Sequence, residues 1–280
     1  MYSFKYIKRL VPLCGEFCAC FGFNSQLKKC RILQSCDRSD MTVDETGWRY
    51  FCPDDWAVDC REVREKGHTR SGVYKIKPFG KSSQAISVYC DMETSGGGWT
   101  AIQRRMSGFV DFNRTWNEYK AGFGIPEAYW IGNDVIHQLT KGGKSSLYVS
   151  ISLKNDTTLY ELYEQFSVSI EVDKYRLLLN GSATGTLGDK LGNATYIPGS
   201  ESVRKIAAGS RFSAPDQDND AWEESCAALY RGGWWFNACC RTFLNGPWNS
   251  TEWFPLCYPI IIRGTDPEAF YYAIGTVNEQ

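Results

Sequence analysis

Apolar positions between residues 86 and 180 follow two periods. Ile86, Val88 and Cys90 alternate with polar residues, the period-two signature of a half-buried strand. Gly96–Gly98 permit a tight turn that residues with a Cβ resist, and Trp99 and Ala101 resume a strand after it. The segment 111–140 reads as helical in two pieces. WNEYKAGFG (116–124) ends on glycines suited to a C-cap, and PEAYWIGNDVIHQLT (126–140) carries His137. Further on, Leu147, Val149, Ile151 and Leu153 share one face. Phe166, Val168 and Ile170 form a second run and YRLLLN (175–180) a third. Three such runs predict an antiparallel sheet with one polar face. Residues 186–210 are rich in Gly and Ser and read as a surface loop.

Composition adds a core and a compartment. Ten Trp, 16 Tyr and 15 Phe in 280 residues give ample material for one large domain or two. A net charge of -1 supplies no basic field for nucleic acid. No stretch approaches the ~18 apolar residues of a membrane span. Twelve cysteines, an even number, argue for an oxidising, extracellular setting and a secreted chain. Zinc is the competing use of thiols. The C-x-C at 18–20 and the Cys239–Cys240 pair are not the paired C-x2-C sets of zinc ribbons, and only two His are present. Five sequons, at Asn113, Asn155, Asn180, Asn193 and Asn249, agree with export as glycosylation acceptors.

Six cysteines (14, 18, 20, 30, 36 and 52) crowd residues 1–52, a polar stretch too small to fold without disulfides; their pairing is open. Residues 53–58 read as a linker to a domain at 59–280. Lys5, Lys8 and Arg9 resemble the start of an export signal, but the apolar run after them holds Pro12 and meets Glu16. The expectation is a fragment whose start lies upstream, the alternative a poor signal.

The richest chemistry lies in DQDNDAWEESCAALYRGGWWFNACC (216–240). Alternating Asp216, Asp218 and Asp220 present hard carboxylate oxygens, which suit calcium. An EF-hand is excluded, because its sixth and twelfth positions are Ala221 and Ala227. The string runs on through Gly-Gly-Trp-Trp, a second Cys and Leu244-Asn245-Gly246. Together with DCREV, SGVYKIKP (71–78) and ISVYCDMETSGGGWT (86–100), it resembles the fibrinogen-related domains shared by ficolins, tachylectins, angiopoietins and fibrinogen chains. In a shorter match, FGFNSQLKKCRILQSC (21–36) resembles the latter half of a PAN/apple module, against the plainer reading of a cysteine-rich spacer.

The fibrinogen-type resemblance implies an α+β fold: a central antiparallel sheet, short helices and a loop-rich, calcium-binding C-terminal part. It implies disulfides Cys60–Cys90 and Cys226–Cys239. It places calcium on the carboxylates of Asp218 and Asp220 and the carbonyls of Trp222 and Glu224, with Asp216 outside the first ring of ligands. In the sugar-binding members an acetyl group enters an aromatic cleft beside a cis peptide, here Ala238–Cys239. Tyr230 matches a pocket tyrosine there, Cys240 stands where a His is common, and Tyr258, Tyr271 and Tyr272 are candidates for the remaining wall. Cys240 pairs with Cys257 on this reading; the alternative is a free or interchain thiol. Residues 186–210 are longer than the family's usual connection, and the ending after Gly246 is shorter.

Two functions follow from the resemblance. The leading expectation is a calcium-braced lectin that binds acetylated glycans of the N-acetylglucosamine or N-acetylgalactosamine type in innate immunity. The alternative is a non-lectin ligand for a cell-surface receptor or matrix protein, as angiopoietin-like proteins are. Oligomers, if they form, must come through cysteines or sequence upstream. Catalysis is not expected: no H-E-x-x-H or G-x-S-x-G occurs, and GGKSS (142–146) lacks the upstream Gly of a phosphate loop.

Overall fold

The computed structural model describes residues 20–24, 29–33, 48–51, 56–152, 157–189, 191–192, 206–240 and 242–248. The chain divides into two units, residues 1–56 with 80–82 and residues 57–79 with 83–280. In the first, β1 (Cys20–Asn24), β2 (Lys29–Leu33) and β3 (Trp48–Phe51) form an antiparallel sheet in the order β2-β1-β3. Cys14, Cys18, Cys36 and Cys52 lie outside the described residues.

The larger unit opens on α1 (Cys60–Glu65), capped by Asp59, whose carboxylate accepts from Glu62 N at 2.8 Å. Burial pushes the Asp59 carboxyl above its ordinary range, against the pull of that bond. Strands β4 (Gly72–Ile76), β5 (Ile86–Asp91) and β6 (Trp99–Thr100) follow, with β5 in the middle. Val88 and Cys90 point into the core, as their alternation predicts. Cys90 bonds to Cys60, with Cα atoms 5.4 Å apart. The glycine turn before β6 is obligatory: Gly97 has φ +75°, and a Cβ there would sit 2.1 Å from the Met92 carbonyl oxygen.

A second sheet, ordered β7-β9-β8, is built from β7 (Gln103–Arg105), β8 (Phe123–Ile125) and β9 (Ala128–Trp130). Here the sequence reading needs correction. The first expected helix stops at α2 (Trp116–Ala121), and the second begins only at α3 (Asn133–Thr140). Between them Gly122 and Gly132 close and open the helices at φ +94° and +108°, and Gly124 in β8 holds +110°; the hairpin they enclose turns at Pro126-Glu127 and pairs Phe123 with Trp130. Packing of Tyr129 and Trp130 in the core overrides their helical surroundings. The His137 ring sits against the sheet, with Nδ1 2.8 Å from the Val168 carbonyl oxygen.

The third sheet has β10 (Leu147–Ser152), β11 (Thr158–Val168) and β12 (Leu177–Gly185) in that order, all antiparallel. Phe166 and Val168 of the expected run 166–170 close β11, and the expected α+β fold of antiparallel sheet and short helices is present, its strands grouped in threes. An aromatic cluster joins these parts. Trp130, Tyr119, Phe212 and Trp235 meet tilted or edge-on with centroids 5.1–6.0 Å apart, a geometry that adds to their burial.

A disulfide-tied acidic loop

Residues 212–246 hang on that cluster. Ser213 and Trp234 exchange backbone hydrogen bonds of 2.9 and 3.0 Å, which brings the two ends of the acidic loop together. Gly233 sits where a Cβ would come within 2.6 Å of the Tyr119 ring and 2.8 Å of Phe212. The Trp235 indole donates to Tyr175 O at 2.7 Å in the core, which satisfies its polar edge. Asn245 is fully buried; its Nδ2 donates to Gly233 O at 2.9 Å, and its Oδ1 accepts from Gln103 Nε2 at 2.5 Å. Gln103 also reaches Leu244 O, and the Arg105 guanidinium donates to Leu244 O and Gly246 O. These polar groups were missed in the sequence, which carries no local signal for a pairing across some 140 positions.

The acidic residues separate into two roles. Asp216 Oδ1 accepts from Trp116 N at 2.7 Å, so this carboxylate holds the start of α2. Asp218 and Asp220 turn toward each other's backbone and the loop that follows. Asp218 Oδ1 accepts from Asp220 N at 3.1 Å, while Asp220 accepts from Trp222 N at 2.8 Å and from Cys226 N at 3.0 Å. Burial, and the neighbouring Asp218 carboxylate, push the Asp220 carboxyl up to about 6. Two hard oxygen donors whose negative charges oppose each other form a set that a divalent cation would relieve. Among the described residues no donor bonds the carbonyl oxygens of Trp222 or Glu224. Nor do three or more His, Cys, Asp or Glu side chains cluster there. The donor set therefore fits calcium through two carboxylates, with carbonyls and water completing the shell, and does not fit zinc.

Cys226 opens α4 (Cys226–Tyr230), capped by Ser225, and bonds to Cys239 with Cα atoms 5.4 Å apart. Cys240 is also disulfide-bonded. Cys257, Tyr258, Tyr271 and Tyr272 lie outside the described residues, as do Asn155, Asn193 and Asn249. Asn113 and Asn180 are exposed.

The expected acetyl cleft does not form around Tyr230. Its side chain is 1 % exposed and packs against Phe236 and Phe243. Ala238, Cys239 and Cys240 are buried with it. Among the described residues every peptide bond is trans, Ala238–Cys239 included; the chain turns there through Cys239 at φ +59°. A groove of about 250 Å³ lies elsewhere, lined by β8, β9 and their connections with Ile86 and Ser87. On the acidic loop and α4 the exposed apolar groups are Trp222, 38 % exposed, and Leu229, 50 % exposed.

A disulfide-closed loop hung on an aromatic core, behind three small antiparallel sheets, defines a globular domain of the fibrinogen type. Residues 56–254 match the C-terminal globular domain of fibrinogen beta and gamma chains, and the chain belongs to that family. Human angiopoietin-2 is 44% identical over 189 residues, which cover 67% of this chain and 35% of that protein. Human fibroleukin is 43% identical over 191 residues, covering 67% and 41%. The chain thus spans well under half the length of these relatives. Among solved structures, the fibrinogen-like globe domain of human ANGPTL6 superposes with a TM-score of 0.67 at 34% identity, covering 81% of this chain and 98% of that one.

These relatives correct the leading expectation from sequence. They are angiopoietins and a fibrinogen-like protein, not ficolins or tachylectins, and the lectin reading with its acetylated-glycan partner and innate-immune role is set aside. The sealed Tyr230 gives the physical reason: a ring at 1 % exposure offers no wall to a sugar.

Proposed function

We propose that this chain is a secreted, calcium-braced ligand that binds a cell-surface receptor or matrix protein through the outer surface of its acidic loop and α4. The observation that carries the reading is the division of that loop. Tyr230 and Phe236 are sealed inside, while Trp222 and Leu229 stand outside on a scaffold fixed by a disulfide. Protein interfaces draw most of their energy from a few aromatic and aliphatic anchors on rigid supports, and Trp leads that group. Similarity to angiopoietin-2 supports a protein partner, and the disulfides support an extracellular setting.

Calcium belongs to this proposal. Asp218 and Asp220 would hold the ion with the carbonyls of Trp222 and Glu224, and its charge would fix a loop that otherwise depends on side-chain-to-backbone bonds. Domain limits at 52 and 59, and a PAN/apple-like character for residues 1–52, are likewise proposals.

The test is saturable binding of the whole chain to cells displaying a panel of receptor ectodomains, in competition with human angiopoietin-2. Trp222→Ala and Leu229→Ala should each weaken binding at least tenfold with the melting point unchanged. Equal binding by both variants would move the interface off this loop.

A further inference from the structure

Strand β12 is the outer strand of its sheet among the described residues, and on its open side only its first residue pairs with another described segment. Leu177 donates to Ser210 O at 3.0 Å and accepts from Gly209 N at 2.8 Å. From there to Gly185 no other described strand pairs with it: Leu178, Asn180, Gly181, Ser182, Thr184 and Gly185 are all exposed, Leu178 to 41 %. Folded proteins guard such edges with charged residues or proline, because unpaired backbone groups invite pairing with another chain. Residues 177–187, LLLNGSATGTL, contain no Lys, Arg, Asp, Glu or Pro. An uncharged strand with an exposed Leu is the sort of segment that aggregates.

The middle of this edge holds Asn180-Gly181-Ser182, an N-glycosylation sequon. Asn180 pairs with Gln165 across the register shift between Tyr163 and Gln165, and Gly181 follows at φ +83°. In a strand, alternate residues share a face, so Asn180 stands on the same outer face as Leu178. The sequon at Asn113 differs. It also is exposed, but it precedes a helix whose start is already closed by Thr115 and Glu118, and no open sheet edge lies within it.

We propose that Asn180 carries an N-linked glycan whose task is to guard the β12 edge. This rests on the extracellular reading above, since the donor, a lipid-pyrophosphate-linked oligosaccharide, is met only on export. In the transfer Asn180 Nδ2 forms a bond to C1 of the first N-acetylglucosamine and loses a proton to the transferase base. The bond from C1 to the pyrophosphate oxygen breaks, and the lipid pyrophosphate leaves. A hydrated, branched sugar at this position blocks the approach of a second strand along β12 and covers Leu178, supplying the guard that the sequence lacks.

The full chain, exported from mammalian cells behind an added signal, provides the test. Digestion with peptide N-glycosidase in 18O water should convert most of residue 180 to labelled Asp, read by peptide mass. Ser182→Ala should remove the label at 180 and yield larger species in analytical ultracentrifugation than the glycosylated protein at the same concentration. Enzymatic deglycosylation of folded wild type should do the same, which separates loss of the sugar from an effect of the substitution. An exported chain with the Cys60–Cys90 bond formed and a bare Asn180 overturns this proposal and leaves the extracellular reading standing. A glycan whose removal leaves the size distribution unchanged overturns the guarding role. A chain retained in the cell with Cys60 and Cys90 reduced takes both readings down.

Discussion

Replacing Asp218 and Asp220 together by Asn isolates the calcium proposal from the fold. The Asp220 carboxylate accepts two backbone bonds, from Trp222 N and Cys226 N, and a neutral amide oxygen in its place keeps one. A lost bond of that kind costs about 1–2 kcal/mol. Against it stands the strain of the charge itself, since a carboxyl moved from 3.8 to about 6 is disfavoured as an anion in the fold. At ~1.4 kcal/mol per unit, discounted for a loop half open to water, its removal returns roughly 1–2 kcal/mol. The two effects nearly cancel, so in chelator the variant should melt within a few degrees of wild type. Calcium changes the comparison. At about 100 times its Kd it adds ~2.7 kcal/mol to wild type. For a domain of this size that is a rise of about 5–11 °C. The variant should gain none of it. The pH dependence has a definite sign. A raised carboxyl binds its proton more tightly in the folded state, so metal-free stability grows as pH falls from above 6 toward 3.8. Calcium competes with that proton, and its stabilisation should fade below about pH 6. Differential scanning calorimetry with EDTA or calcium reads all of this. A variant that keeps the full calcium shift would refute the assignment.

Four further outcomes follow from the same geometry. Tyr230→Ala should destabilise by about 3–5 kcal/mol in denaturant titration, as loss of a buried aromatic does, instead of removing a surface contact. Asp216→Ala should cost about 1 kcal/mol through α2 and leave the calcium shift intact in calorimetry, in contrast to the Asp218 and Asp220 changes. Asn245→Ala should cost about 2–4 kcal/mol in denaturant titration, because it strands Gly233 O in the core and leaves Gln103 Nε2 with Leu244 O alone. Serine in place of both Cys226 and Cys239 opens a 13-residue loop, worth about 3 kcal/mol and visible as a lower melting point.

What could be read from the sequence was what local pattern encodes. The alternation at Ile86–Cys90 gave β5, whereas Asp218 and Asp220 were singled out by the family resemblance and not by a local pattern. Thr115-x-x-Glu118, a signal the reading of 116–124 passed over, forms a capping box with both reciprocal bonds present. The hairpin at 123–130 was hidden because its residues have helical neighbours, although Gly122 and Gly132 at positive φ cut it off from both helices. Tyr230 was misplaced for a related reason. Position relative to Cys226 says which helix a residue occupies, but its face depends on Phe236, inside the disulfide loop, and Phe243, just beyond it. Asp216, in the same acidic run as its neighbours, was given to the metal's surroundings when its partner is a backbone amide 100 residues earlier.

The Gln103–Asn245 bond spans 142 positions, and Arg105 spans 141 to Gly246. Contacts that distant form after local ones, since the loop between their ends must first be closed. The acidic loop therefore has no independent existence: β7 must be in place before the peptide around Asn245 can lock Gly233. Its core amides should exchange with deuterium only when the whole larger unit opens, at the same free energy as those of β7 and β9. A surface mounted this way stays rigid, and a partner of the proposed kind would spend little ordering it.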